Sequence, residues 1–372
     1  MAVAASFLGG ATSRLLPVDV PFRYFAAALA YHLLAWLALL AGADRWPRFA
    51  QAGGGGQGWS LAALHLVTLG VLVMTAIGAS LQLLPVATRQ PVRSSTWPVA
   101  IWWLYTPGVA GVAIGMGLGL PWLLGAGALA VTLALLAFAA LLAINLRGAR
   151  GMPAVVVHGW AALACLAVVL ATALSLALAW LGLPSLDRAS ALALHIAFAA
   201  YGFMGLLTLG LSHLLVPMFA LAAAPNARQA IASCALAVAA LALAAAAALP
   251  VAPQPLRLSA IALGGVAVAL HLRQMQQALR NGMRRELGRS FVLLRLGWAA
   301  LVASLVLALA VVQGVWPPGL PTLFGLVLIG GWLLSFVLGI LQRILPFLAS
   351  MHAGRSGQRT PLPSSLTAER PL

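Results

Sequence analysis

The stretch from His65 to Pro85 reads HLVTLGVLVMTAIGASLQLLP. It is apolar enough to lie in lipid, yet it carries a histidine, a methionine, a glutamine and spaced glycines. Its skeleton is Gly70, Gly78 and Pro85. The same skeleton returns as Gly202, Gly210 and Pro217, and again as Gly331, Gly339 and Pro346, displaced by 132 and then 129 residues. Three copies at near-constant displacement predict an all-α integral membrane protein built as a pseudo-threefold bundle.

Composition bounds the class in the same direction. The 372 residues are 63% hydrophobic and 7% charged, whereas charged residues approach a quarter of a soluble domain. Mean hydropathy is +1.04, and apolar runs reach the ~20 residues that cross a bilayer core. The net charge of +16 comes from 21 arginines and no lysine. They lie mainly between apolar runs, so the expected partner is the lipid bilayer and its anionic headgroups, with no nucleic acid. Cys165 and Cys234 sit inside apolar runs without a CxxC spacing and read as inert buried thiols.

Hydropathy predicts ten spans, at residues 24–43, 59–86, 97–118, 121–145, 153–181, 189–222, 229–249, 257–278, 291–315 and 320–349. Residues 1–23 form an N-terminal segment, 24–350 a single transmembrane domain, and 351–372 a polar tail read as disordered. The glycines at Gly53 to Gly56 read as a flexible loop. Every arginine except Arg45, Arg48, Arg188 and Arg257 falls on one side of this scheme. The positive-inside rule then puts both termini in the cytoplasm of a bacterial-type inner membrane. The repeat falls in spans two, six and ten, which all run the same way. On an α-helix, glycines eight residues apart lie roughly 80° apart, close to one face that a neighbouring helix can approach. The proline near the far end is expected to kink or end each span.

Polar side chains in lipid are costly and mark candidate sites. The acidic residues, Asp19, Asp44, Asp187, Glu286 and Glu369, all fall in loops or tails, which disfavours a carboxylate-based proton transporter or hydrolase. Histidine remains. His65 and His195 stand near the outer ends of two repeat helices, where two neutral imidazoles can hold a metal. His32 is a third candidate metal ligand, and Met74 and Met204 are soft ones that more often fill cores. Near the other end, Gln82, His213 and Gln342 form a predicted polar layer suited to hydrogen bonds between helices. His158 and His271 read as interface histidines near helix ends, and His352 lies in the tail. Tyr201 either reaches a polar partner or anchors its helix. Trp97, Trp102, Trp103, Trp122 and Trp180 suit an interfacial aromatic belt.

These residues carry a resemblance. His65, Met74, Gly78 and the ending Leu84-Pro85 resemble the second helix of haem-copper oxidase subunit I. There a haem-ligating histidine near the outer side is followed by methionine, glycines, and leucine or valine before proline. The resemblance implies helices two, six and ten around three pores, with both termini cytoplasmic. It extends over residues 22–350 in topology but only over the three repeat helices in motif. The chain is also similar to smaller oxidase-like membrane proteins linked to nitric oxide metabolism, described as containing haem and copper.

The departures bear on function. Span ten has no histidine where the family carries two. Span six has His195 and Tyr201, but no histidine pair follows in span seven, and the span count is two short of the family's twelve. Oxygen reduction is therefore not expected. The expectation is a haem-binding, or copper-binding, oxidase-like protein using His65 with His195 or another outer histidine. Its role would be electron transfer, nitric-oxide response or cofactor handling, with a respiratory or electron-transfer protein as partner. The alternatives are a transporter or channel using the polar layer, and a cofactor-free scaffold subunit.

Overall fold

The computed structural model describes residues 16–45, 58–92, 94–249, 252–284, 286–314 and 319–355. Among these all regular structure is helical. Ten helices are long and apolar enough to cross a membrane. They are α1 (Asp19–Ala41), α2 (Trp59–Thr88), α3 (Thr96–Leu118), α4 (Pro121–Arg147), α5 (Pro153–Trp180), α6 (Arg188–Ala220), α7 (Ala227–Ala247), α8 (Gln254–Asn281), α9 (Gly288–Gln313) and α10 (Leu320–Ser350). These ten helices among the described residues are those of an integral membrane protein.

Two boundaries depart from the hydropathy reading by about five residues. The first helix starts at Asp19, because Arg23 one turn later pairs with the Asp19 carboxylate at 2.9 Å and extends the helix beyond its apolar part. The last helix runs on to Arg355, past the expected limit at 350. The glycine run at Gly53 to Gly56 and residues 356–372 lie outside the described residues.

The repeat glycines have a specific use. A Cβ built on Gly70 would stand 2.6 Å from the Cβ of Tyr31, and one on Gly78 would stand 2.9 Å from that of Tyr24. On α6, Gly202 meets Cys165 at 2.8 Å and Gly210 meets His158 at 2.5 Å. On α10, Gly331 meets Ala300 at 3.0 Å, and Gly339 meets Leu293 at 3.2 Å and the Ser290 carbonyl at 2.8 Å. Each repeat helix therefore seats the helix before it, α1, α5 or α9, through two glycines. The residues seated are seven apart: Tyr24 and Tyr31, His158 and Cys165, Leu293 and Ala300. Such contact is open only to glycine, and it lets dispersion forces act between backbones where lipid removes the hydrophobic drive.

Seven residues on one helix face eight on the other, and the backbone explains the mismatch. Two α-turns take about 7.2 residues. Each repeat helix contains a π-helical segment, Leu66–Val73, Phe198–Gly205 and Val327–Leu334. The wider turn absorbs one extra residue. The two glycines therefore come onto one face, rather than the roughly 80° apart that a pure α-helix implies. Side chains reach backbone carbonyls of two of these segments: Tyr105 Oη donates to Leu69 O at 3.0 Å, and Ser335 Oγ to Gly330 O at 3.0 Å. The π segments of α2 and α6 each contact that of α10.

The prolines do not end their helices. Pro85, Pro217 and Pro346 all lie inside helical runs. In α2 and α6 the helix closes four residues later on a left-handed residue, Arg89 (φ 57°) and Leu221 (φ 53°). The exposed ends are then tied down by similar contacts. Arg150 N donates to Thr88 O at 2.9 Å, and Arg284 N to Ala220 O at 3.1 Å. Thr88 also donates to Asn145 Oδ1 at 2.8 Å, and Asn145 Nδ2 to Gln90 O at 2.9 Å.

Candidate functional site

Two groups of histidines lie in the bundle. The first is the pair His65 and His195. His65 closes the α-turns that precede the first π segment, and His195 stands three residues before the second. His65 Nδ1 lies 3.0 Å from Leu61 O. A carbonyl only accepts, so Nδ1 carries the proton and Nε2 keeps its lone pair. His195 Nδ1 lies 3.5 Å from Thr172 Oγ1, whose own hydrogen is directed at Val168 O at 2.8 Å. That hydroxyl is thus an acceptor toward Nδ1–H, and Nε2 again keeps its lone pair.

The other candidate ligands are placed differently. Met74 is fully buried, nine residues beyond His65. That is about 13 Å along the helix axis, too far to share one metal ion with His65. His32 packs edge-on against Trp36 of its own helix and accepts from its Nε1 at 3.3 Å. Met204 is buried within the second π segment. Tyr201 Oη donates to Ser304 Oγ at 2.9 Å, and its ring stacks on Trp332 with centroids 5.6 Å apart. Tyr201 is thus a link between α6, α9 and α10.

The second group was missed by sequence reasoning. No hydrogen bond joins His213 to Gln82. Gln82 is 1% exposed with neither amide atom hydrogen-bonded, whereas Gln342 is exposed. His213 instead lies between His158 and His271, with ring centroids 5.3 and 5.1 Å away. His158 and His271 are not interface residues: all three rings are at most 2% exposed. The seat at Gly210 brings His158 this deep. The available signal was that His158 stands seven residues before Cys165, the spacing of the residues that face the repeat glycines.

Among the described residues, no group of three or more His, Cys, Asp or Glu side chains could hold a metal ion. The cavity between α2 and α4, lined by Ser80, Leu84, Phe138 and Asn145, has a volume of about 20 Å³, room for a single water. Both cysteines are buried and reduced. Outside the spans, Asp187 caps α6 by accepting from Ser190 N and Ser190 Oγ at 2.9 Å each, and these bonds hold its carboxyl below the usual range. No family model matches the chain, and no curated protein or solved structure matches it.

Proposed function

We propose that the protein is an oxidase-like membrane protein that binds a haem, or a copper ion, through His65 and His195 and does not reduce oxygen. The single observation that carries this reading is the pair His65 and His195. Two imidazoles from successive repeat helices each have Nδ1 engaged and Nε2 left as a lone pair. That is the tautomer and orientation a metal-binding histidine needs, with the second nitrogen holding the ring in place. The donor set fits an iron or a copper ion. Met74 then serves as packing and His32 as a surface-side residue.

A bound haem or copper would supply a one-electron redox centre. The chain's own residues hold it: Leu61 and Thr172 orient the rings, and the π segments fix the depth of both histidines. The recurring glycine seats support a pseudo-threefold bundle, and the arginine distribution supports cytoplasmic termini in an inner membrane. Electron transfer to a respiratory partner, nitric-oxide response and cofactor handling all use such a centre.

The test is a reduced-minus-oxidised spectrum of detergent-purified protein expressed with excess haem and copper. The expected result is a Soret and alpha band, or a bound-copper signal, that disappears in His65→Ala and falls in His195→Ala. A colourless, metal-free protein with the wild-type fold overturns the proposal.

A further inference from the structure

We infer that α1 and α10 are the interface of a homodimer, in which each copy closes an opening left in the other. The repeat leaves one of its three links unmade. In the first set, α3 packs against the N-terminal half of α2, and α4 packs against its C-terminal half and against α5. In the second, α7 and α8 cover the two halves of α6 in the same way, and α8 meets α9. Each of these repeat helices is thus followed by an antiparallel pair that joins it to the next set. Among the described residues no pair follows α10, and residues 356–372 hold no apolar run of spanning length. The side of α10 toward α1 is therefore left open.

Side chains on both borders of the opening register it. One residue before the second repeat glycine stand Ile77, Leu209 and Leu338. The first two are buried, whereas Leu338 is 36% exposed. Three residues after that glycine, Leu81 and His213 are buried and Gln342 is exposed. On the seated helices, five residues beyond Cys165 and Tyr31, Leu170 is 6% exposed and Trp36 59%. A glutamine turned toward lipid carries a cost that a neighbouring helix removes. Gly330 adds a hole, because a Cβ built there meets nothing within 4 Å. Tyr201 holds the same position on α6 and reaches Ser304 of the next set.

Helix direction selects what fills the opening. Successive spans alternate in direction, so α1 and α10 are antiparallel. By the pattern of the other sets, the opening takes one helix antiparallel to α10, as α3 is to α2. It takes a second antiparallel to α1, as α4 is to α5. A second copy, turned about a two-fold axis along the membrane normal, supplies both. Its α1 lies antiparallel beside α10, and its α10 lies antiparallel beside α1. Copies inserted the same way also meet at matched depth. Tyr31 sits on Gly70, and the π segments of α2 and α10 are in contact, which puts Gly331 at the same level. His32 of each copy then stands level with Gly330 of the other. The contact is isologous, with a ring opposite a hole on each side of the axis.

The experiment uses the full-length protein in dilute lipid vesicles. Trp36 lies five residues beyond Tyr31 and Leu326 five before Gly331, so the two share a depth, and both are exposed. Trp36→Cys and Leu326→Cys, carried on copies with different tags, should form a disulfide between the tags when oxidised together. Trp36→Cys mixed with Leu129→Cys, on the exposed side of α4, should not. Single-molecule bleaching should count two copies per particle in the wild type. Gly330→Leu fills the hole and should raise the dissociation constant at least about 10-fold while melting as the wild type does. A monomeric wild type overturns the inference. So does a dimer that forms no disulfide between Trp36→Cys and Leu326→Cys, or one that Gly330→Leu, shown to melt as the wild type, leaves equally tight. A monomer whose Leu326→Cys links in native membranes only to a different polypeptide assigns the opening to a foreign helix pair, which also overturns it. The proposed binding at His65 and His195 stands or falls separately, by its own spectrum.

Discussion

The first four helices and the next four share a frame and differ in what fills it. In both, two glycines seat the preceding helix, a π segment absorbs one residue, and a proline is followed by a left-handed residue. In the first set the seated residues are Tyr24 and Tyr31, whose hydroxyls donate to the carbonyls of Pro98 and Thr106 on α3. In the second they are His158 and Cys165, and His158 ends in an unpartnered nitrogen. The seated tyrosines of the first set tie α1 to α3, whereas the seated His158 of the second ends in a nitrogen that ties no helix. The difference separates architecture, which recurs, from chemistry, which does not.

The largest effect expected from breaking this comparison is at the seats. Gly210→Ala puts a Cβ 2.5 Å from that of His158 and should destabilise by about 3 kcal/mol or more, with a fall in melting temperature in detergent. Gly265→Ala, where a Cβ meets nothing within 4 Å, should instead be neutral or stabilise by up to about 1 kcal/mol. Equal melting of the two variants would remove the seat as an explanation. Next comes Asn145→Leu, which deletes bonds to Thr88 and Gln90 in the first set only. A loss of about 1–3 kcal/mol is expected, with earlier proteolysis of the loop after α4. Tyr105→Phe removes the donor to Leu69 O and should cost about 1 kcal/mol, with faster amide exchange localised to Leu66–Val73.

The smallest effect is at Asp187, an exposed cap found on α6 but not on α2. Its carboxyl is held low in the folded chain by the Ser190 bonds. Its contribution to stability is therefore present above the unfolded carboxylate pKa and lost as pH falls through the folded value. Asp187→Ala should melt slightly lower than wild type at neutral pH, and the gap should close on acidification. A gap that persists at low pH would contradict the capping role.

The number of spans was legible because lipid imposes a length and a polarity on every crossing helix. The glycine skeleton was legible because its displacement is nearly constant. What the glycines touch was not, since Tyr24, His158 and Leu293 share no chemistry. The π segments carry no residue code either, although eight-residue spacing where seven fits two turns was a trace of them. His158 and His271 were misjudged because closeness to a helix end was taken as closeness to the membrane surface. Which face of the helix they occupy decides their burial, and Gly210 sets that face for His158.

A helix that carries a surplus residue can also lose it. In an ordinary span, deleting one residue turns everything beyond it by about 100° and tears the packing apart. Between Gly70 and Gly78, the same deletion would let the π segment Leu66–Val73 relax into α-helix, with the glycines then seven apart and still opposite Tyr31 and Tyr24. The three π segments are therefore places where this chain's length can change by one residue without changing which helices meet.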